Sequence, residues 1–429
     1  MVFEAQPWRL DTDRIKSSEM SSRFNRFLIA PSVLLSLLGL CTSLIPSSNA
    51  FPQAKQDRKA QAKQKTTTEQ EPPPAEGGAT STSHLALPFK RLWKYLTDEA
   101  SSLSPSIDSE RIYLPLAGGR VVCLDRESGS LRWIADPGGI ISSPVAVGEH
   151  SVFIATQKLA DDGSEAGGSL RAIDKNTGLT VWVKDYARPF TSPLVLAPNR
   201  VYAGSADGTF YALNFTDGNV IWKVETQDIV RGRPLVTPTA VYFGGDDGTL
   251  RAVSPDKGQI IWKYQVSGKV VGQPAIDDRA IYFGAGDGYL YSLDLNGKLK
   301  WRSRTGAAIE ASPVLVGDLV LIPSYDNFVY ALSRSTGDRV WKRRLENRIT
   351  STVIVEGDAN LVAPLRGDYV AVFLNADGRR VNLYKLEKDT EIVADPIFSN
   401  DTLYLATSNG LVVARAMRPK DQPANAIKK

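Results

Sequence analysis

Cysteine and histidine are nearly missing from this chain: Cys41, Cys123, His84 and His150 are the only ones among 429 residues. That scarcity excludes a disulfide framework and any zinc site on the usual Cys/His spacing. It also empties most of the menu of catalytic nucleophiles and bases. An excess of one charge is lacking too. Against 51 Lys and Arg stand 47 Asp and Glu, and a net charge of +4 over this length leaves no basic footprint for nucleic acid. What remains, 42% hydrophobic and 23% charged, is the composition of an ordinary folded chain.

Arg23 and Arg26 precede an apolar run over residues 27–45, which is followed by Pro46 and the small-x-small end Ser48-Asn49-Ala50. This order describes a secretory signal with cleavage after Ala50, and Met20 is an alternative start. An uncleaved membrane anchor fits the same run, whose length approaches a bilayer span. Lipidation at Cys41 is the third alternative, opposed by Leu40 where lipoprotein signals place a small residue. Residues 1–50 therefore read as signal peptide or anchor, and the rest of the chain is expected in the periplasm or cell envelope. Membrane association, if any, would run through the N-terminus. Residues 51–84 carry too few apolar side chains to offset chain entropy and read as a disordered tether, as do residues 420–429.

Tryptophan is what the chain has at regular spacing. Trp93, Trp133, Trp182, Trp222, Trp262, Trp301 and Trp341 lie 40, 49, 40, 40, 39 and 40 residues apart, and Tyr384 follows after 43. A fixed period of this size means a repeat architecture. Each unit runs from a Pro (Pro193, Pro234, Pro274) through a β-rich run such as Ala240-Val-Tyr-Phe-Gly244 to an Asp-Gly turn. A third run, a second turn and a tryptophan strand complete it. Asp-Gly between apolar runs predicts hairpins with type I′ turns. Four antiparallel strands in about 40 residues make a propeller blade. The tryptophan is expected to pack over the adjoining turn or blade.

The last unit has three strand-like runs without a fourth, and residues 87–97 form an outer strand with no blade before it. Joining them closes the ring. The prediction is all-β: an eight-bladed propeller over residues 85–419, its last blade completed by an N-terminal outer strand.

The string Arg171-Ala-Ile-Asp-Lys-Asn-Thr-Gly-Leu-Thr-Val-Trp182, repeated as Tyr330-Ala-Leu-Ser-Arg-Ser-Thr-Gly-Asp-Arg-Val-Trp341, resembles the pyrroloquinoline-quinone (PQQ)-type propeller repeat. Two groups with that repeat come into question. Quinone-dependent dehydrogenases are typically much longer, and their alcohol-oxidising members carry a vicinal cysteine pair that this chain lacks. The BamB family of the outer-membrane β-barrel assembly machinery is more similar, at Ile229-Val-Arg-Gly232 followed by Ala240-Val-Tyr-Phe-Gly-Gly-Asp-Asp-Gly248.

That resemblance implies a non-catalytic envelope scaffold whose protein partner is an outer-membrane β-barrel assembly subunit. It implies no cofactor, metal or catalytic residue. A Leu-Arg-Gly segment in that family contributes to partner binding, which carries over to Val230, Arg231 and Gly232. Here an exposed apolar side chain beside Arg231 is expected, with Gly232 permitting the turn. The plain alternative for Arg231 is a solvated loop residue. The family also has an acidic pair one blade later, where this chain shows Lys269-Val270-Val271. A PQQ-binding oxidoreductase module and an envelope propeller with a ligand in its channel remain the alternatives.

Several weaker signals have structural readings. Asp-Gly pairs are turns rather than metal ligands, and Asp246 is expected to face solvent. Lys298, Lys300, Arg302 and Arg304 alternate on one outer strand, with Lys342, Arg343, Arg344 and Arg348 on and beyond the next. They read as edge protection or as a patch for anionic lipid or an acidic partner. Residues 158–168 hold an insertion, and Cys123 reads as a buried small hydrophobe.

Overall fold

The computed structural model describes residues 81–417 apart from 102, 161 and 162. The signal or anchor, Cys41, most of the tether and the C-terminal tail lie outside the described residues. The described chain forms eight antiparallel sheets, each built on four strands. The third blade is Val195–Ala197, Arg200–Gly204, Thr209–Asn214 and Val220–Glu225; the fourth is Leu235–Val236, Val241–Phe243, Thr249–Val253 and Ile260–Gln265. In the second blade the innermost strand is split into Ile140–Ile141 and Ala146–Val147, both paired with Ser151–Leu159. The insertion lengthens the hairpin that follows, Ser151–Leu159 with Glu165–Asp174.

The eighth blade joins Phe89–Leu96 to Gly410–Ala416, so the ends of the described chain share one sheet. The first blade packs against it through Ile112, Leu114 and Leu124 with Tyr404, Leu411 and Val413. Every neighbouring pair of blades shares an apolar core of this kind, which closes the ring. The middle strands are buried on both faces: Val241–Phe243 and Tyr369–Leu374 are buried at every residue. Such strands read as continuous apolar runs rather than alternating ones. Cys123 is fully buried among them, as expected.

The tryptophans fasten blade to blade. Each indole lies on the turn glycine between the third and fourth strands of the next blade, from Trp93 on Gly129 to Trp341 on Gly378. These glycines have φ of 67–82°, and a Cβ would come within 2.5–2.8 Å of the ring. Glycine is demanded there twice, by conformation and by contact. Six of the indoles also donate their N–H to a carbonyl of that turn, as Trp222 does to Pro255 at 2.8 Å. Tyr384 stands where the next blade has no such turn, because its third and fourth strands come from opposite ends of the chain. It packs edge-on against Phe89 instead, at 5.8 Å between ring centres.

The Asp-Gly turns differ from expectation. Gly208, Gly248 and Gly288 have positive φ, but Asp207, Asp247 and Asp287 do not. Each is a type I turn closed by a glycine bulge, and the aspartate accepts the N–H two residues on, 2.8 Å from Thr209 and 2.9 Å from Thr249.

Residues Ser81–His84, placed in the tether by composition, are tied down. Ser81 Oγ donates to Asp358 at 2.7 Å, His84 N–H to Glu356 at 2.8 Å, and the His84 ring meets Asp401. Leu85 is fully buried.

Candidate partner-binding face and ring channel

Strand alternation sorts the connections onto two faces. The links between blades lie on one face with the turns joining second to third strands; the remaining turns lie on the other. Arg231, the Asp246-Asp247 turn and the lengthened hairpin of the second blade share the first face. The pinned residues Ser81–His84 sit against turns of the opposite face.

The three predicted site residues have separate roles. Val230 is 0% exposed and belongs to the core between the third and fourth blades, which corrects the expectation of an exposed apolar contact. It is pressed against Gly204, where a Cβ would meet its Cγ1 at 2.5 Å. Gly232 is buried and does not need a positive φ. A Cβ there would meet the Gly244 and Val270 carbonyls at 2.8 and 2.9 Å, so close backbone approach explains the glycine. Arg231 alone is exposed.

Its guanidinium Nε donates to Asp246 Oδ2 at 3.0 Å, and Lys269 Nζ reaches the same oxygen at 2.8 Å. The Asp246 side chain is 4% exposed, against the expectation that it faces solvent, while the side chains of Arg231 and Lys269 are 44% and 53% exposed. The other oxygen, Oδ1, is buried with no partner among the described residues. Asp247 is committed elsewhere, in a two-pronged pair with Arg251 at 2.5 and 3.1 Å. Burial acts to raise the Asp247 pKa, but the Arg251 guanidinium and backbone N–H groups outweigh it and hold the carboxyl low.

Arg231 also lines the cavity on the ring axis, about 800 Å³, bounded by residues of all eight blades. Arg233, Gln273, Glu310, Thr352 and Asp395 supply its polar wall. Burial pushes the Asp395 carboxyl up to about 6; the Thr352 N–H and the charge of Arg233 only partly offset it. Glu310 accepts the Tyr325 hydroxyl. Sequence reasoning missed Asp395, Tyr325 and Glu310. The repeat gives no clear signal for them, because all three positions vary from blade to blade, as Ser192, Arg233, Gln273 and Asp395 do before the blade-opening proline.

The two basic outer strands are engaged with rings. Arg302 lies over Tyr289 at 4.8 Å and Lys342 over Phe328 at 4.7 Å. Arg343 donates to the Gly378 and Asp377 carbonyls at 2.8 and 2.7 Å.

A family model described as outer membrane protein assembly factor BamB matches residues 117–273, 166–308 and 246–427, which together span most of the chain. The outer membrane protein assembly factor BamB of Burkholderia pseudomallei (strain K96243) is 28% identical over 117 residues, 27% of this chain. The match spans only 30% of that relative's length. Among solved structures, BamB from Moraxella catarrhalis superposes with a TM-score of 0.65 at 21% identity, covering 76% of this chain and 99% of that one. A europium-containing methanol dehydrogenase superposes at 0.62 with 14% identity, covering 76% and 92%. At these identities the structures show a common fold alone. The family model covers enough of the sequence to place it: this chain belongs to the BamB family of PQQ-like propellers.

Proposed function

We propose that this chain is a non-catalytic cell-envelope scaffold that binds a protein partner in the assembly of outer-membrane β-barrel proteins. Its contact lies on the face that carries Arg231. The observation behind this reading is that Arg231, in the family-like stretch, stands at the surface beside Lys269 over a buried carboxylate oxygen, while Val230 before it is core. A rigid ring with function in its loops is the usual division of labour. Gly232 and Val230 would then act by shaping the loop, and Arg231 by contact.

The test is affinity capture of the tagged protein from detergent-solubilised envelopes, beside an Arg231→Glu variant. Recovery of a β-barrel assembly subunit by the native chain, lost in the variant, is the expected result. Absence of any such subunit from both samples would overturn the reading.

The fold shared with quinone-dependent dehydrogenases keeps one alternative in view. Among the described residues no three Asp, Glu, His or Cys side chains form a metal-holding group, and no reaction step is assigned. Titration with the quinone and calcium is expected to leave the tryptophan fluorescence unchanged; saturable quenching with dye-linked alcohol oxidation would favour the enzyme.

A further inference from the structure

A fixed place in the repeat turns toward the ring axis. Every blade except the seventh opens with a proline, and the residue before that position lines the axial cavity in six blades: Ser104, Arg233, Gln273, Ser312, Thr352 and Asp395. The second and third blades show what the scaffold itself asks for there. Ser143 and Ser192 are buried, and Ser192 Oγ accepts the Gly204 N–H of its own blade at 2.7 Å. A small hydroxyl is enough. Arg233 and Asp395 depart furthest from it, in the fourth and eighth blades, which face each other across an eight-bladed ring.

This collar is rich in uncommitted donors. The charged residues lining the cavity are Arg231, Arg233, Glu310 and Asp395, and the smaller cavity beside Asp395 adds no other. Arg231 is held by Asp246, and Glu310 accepts from Tyr325. The Arg233 guanidinium has no hydrogen bond or ion pair among the described residues. Ser312 Oγ accepts the Gln273 N–H at 2.9 Å, and Ser104 Oγ accepts the Asp395 N–H at 3.1 Å. Each oxygen is thereby fixed, and each hydroxyl keeps a proton with no acceptor among the described residues. Asp395, pushed up to about 6 by burial, adds a further proton below that pH and a negative charge above it.

Beyond the collar the wall is apolar, with Ile107, Val147, Val195 and Ile354 of the first strands half-buried along the axis. A single free guanidinium at the head of an apolar wall suits one carboxylate, which it can take with two parallel bonds. A polycarboxylate would leave its further charges against aliphatic side chains.

We propose that the ring axis binds a monocarboxylate with an apolar body, its carboxylate on Arg233 facing Asp395 and its body along the first strands. The site is separate from the partner contact and does not rest on it. A free alkanoate and the carboxyl end of an apolar peptide offer the same chemistry, so both are tried.

The probes are octanoate with octanamide as its neutral control, and N-acetyl-trileucine with its C-terminal amide, each titrated calorimetrically into the full chain. At least one acid is expected to bind at a single site, about tenfold or more tightly than its amide. Octanoate alone would identify a free acid as the source, and the peptide acid alone a chain end. Arg233→Gln should weaken that binding by about tenfold or more, and Arg302→Ala on an outer strand should leave it unchanged. The native affinity should be about fivefold higher at about pH 5.5 than at about pH 7.5, because the Asp395 proton then faces the ligand in place of a charge. Asp395→Asn should keep the tighter value at both, a readout that a misfolded variant would not give.

Four results would overturn the proposal. They are no binding of either acid by the native chain, equal binding of acid and amide, binding unchanged by Arg233→Gln, and an affinity that stays level or rises with pH.

Discussion

Arg231 and Glu310 hold the same place in the repeat, one residue after a fully buried aliphatic side chain, Val230 or Ile309, in the link to the next blade. Each meets the residue that precedes a turn aspartate: Arg231 meets Asp246, and Glu310 meets Tyr325. The backbone solution is shared, yet one pair ends in exposed cations and the other in an acid capped by a phenol. The Tyr325 hydroxyl is itself pushed well above its usual range by burial, then by Glu310, so it stays a donor. Blades of one fold thus carry opposite chemistry two steps apart around the ring. The scaffold is the repeated part, and any recognition lies in positions that the repeat leaves free.

The sharpest way to break this comparison is to damage the shared part. Trp222→Ala removes an indole that covers Gly258 and donates to Pro255. It should cost about 3 kcal/mol or more in urea unfolding, with partner capture retained by the folded fraction. Loss of binding at full stability would show that scaffold and site are not separable.

A second prediction uses the channel. With its folded value near 6, above the ordinary 3.8, Asp395 holds a proton in the folded chain that the unfolded chain releases. Its contribution to stability is favourable as pH falls through 6, levels off near 4, and turns into a cost as pH rises. Asp395→Asn should therefore stabilise the protein at pH 7, by up to about 3 kcal/mol, and give no gain at pH 4. Unfolding measured across that range checks the sign.

Reversing the cations, Arg231→Glu with Lys269→Glu, should reduce partner capture by about tenfold to a hundredfold, and salt should weaken the native interaction. The smallest effect belongs to the other half of the comparison. Tyr325→Phe leaves Glu310 without its donor and should cost about 1 kcal/mol in stability, with capture unchanged.

Much of this was legible in the sequence. The tryptophan spacing, the missing fourth strand at the end and the orphan strand near residue 90 together specify an eight-bladed closed ring. What was not legible is direction. Val230 and Arg231 are adjacent, and nothing in their identities says that one enters the core and the other leaves it. Only the contact with Gly204 decides that. Asp246 borders a turn, which argues for solvent, yet its side chain is buried and pairs with Arg231 and Lys269 from two other segments. The turn type is hidden for a related reason: Asp-Gly fits both a type I′ turn and a type I turn with a glycine bulge, and strand register selects between them.

The central claim is that partner contact is made on the Arg231 face. The direct measurement is photo-crosslinking in intact envelopes from a probe at Gln227, beside Arg231, compared with one at Asp278 on the opposite face. The account predicts a crosslink to a β-barrel assembly subunit from position 227 and none from 278. A crosslink from 278 alone would contradict it.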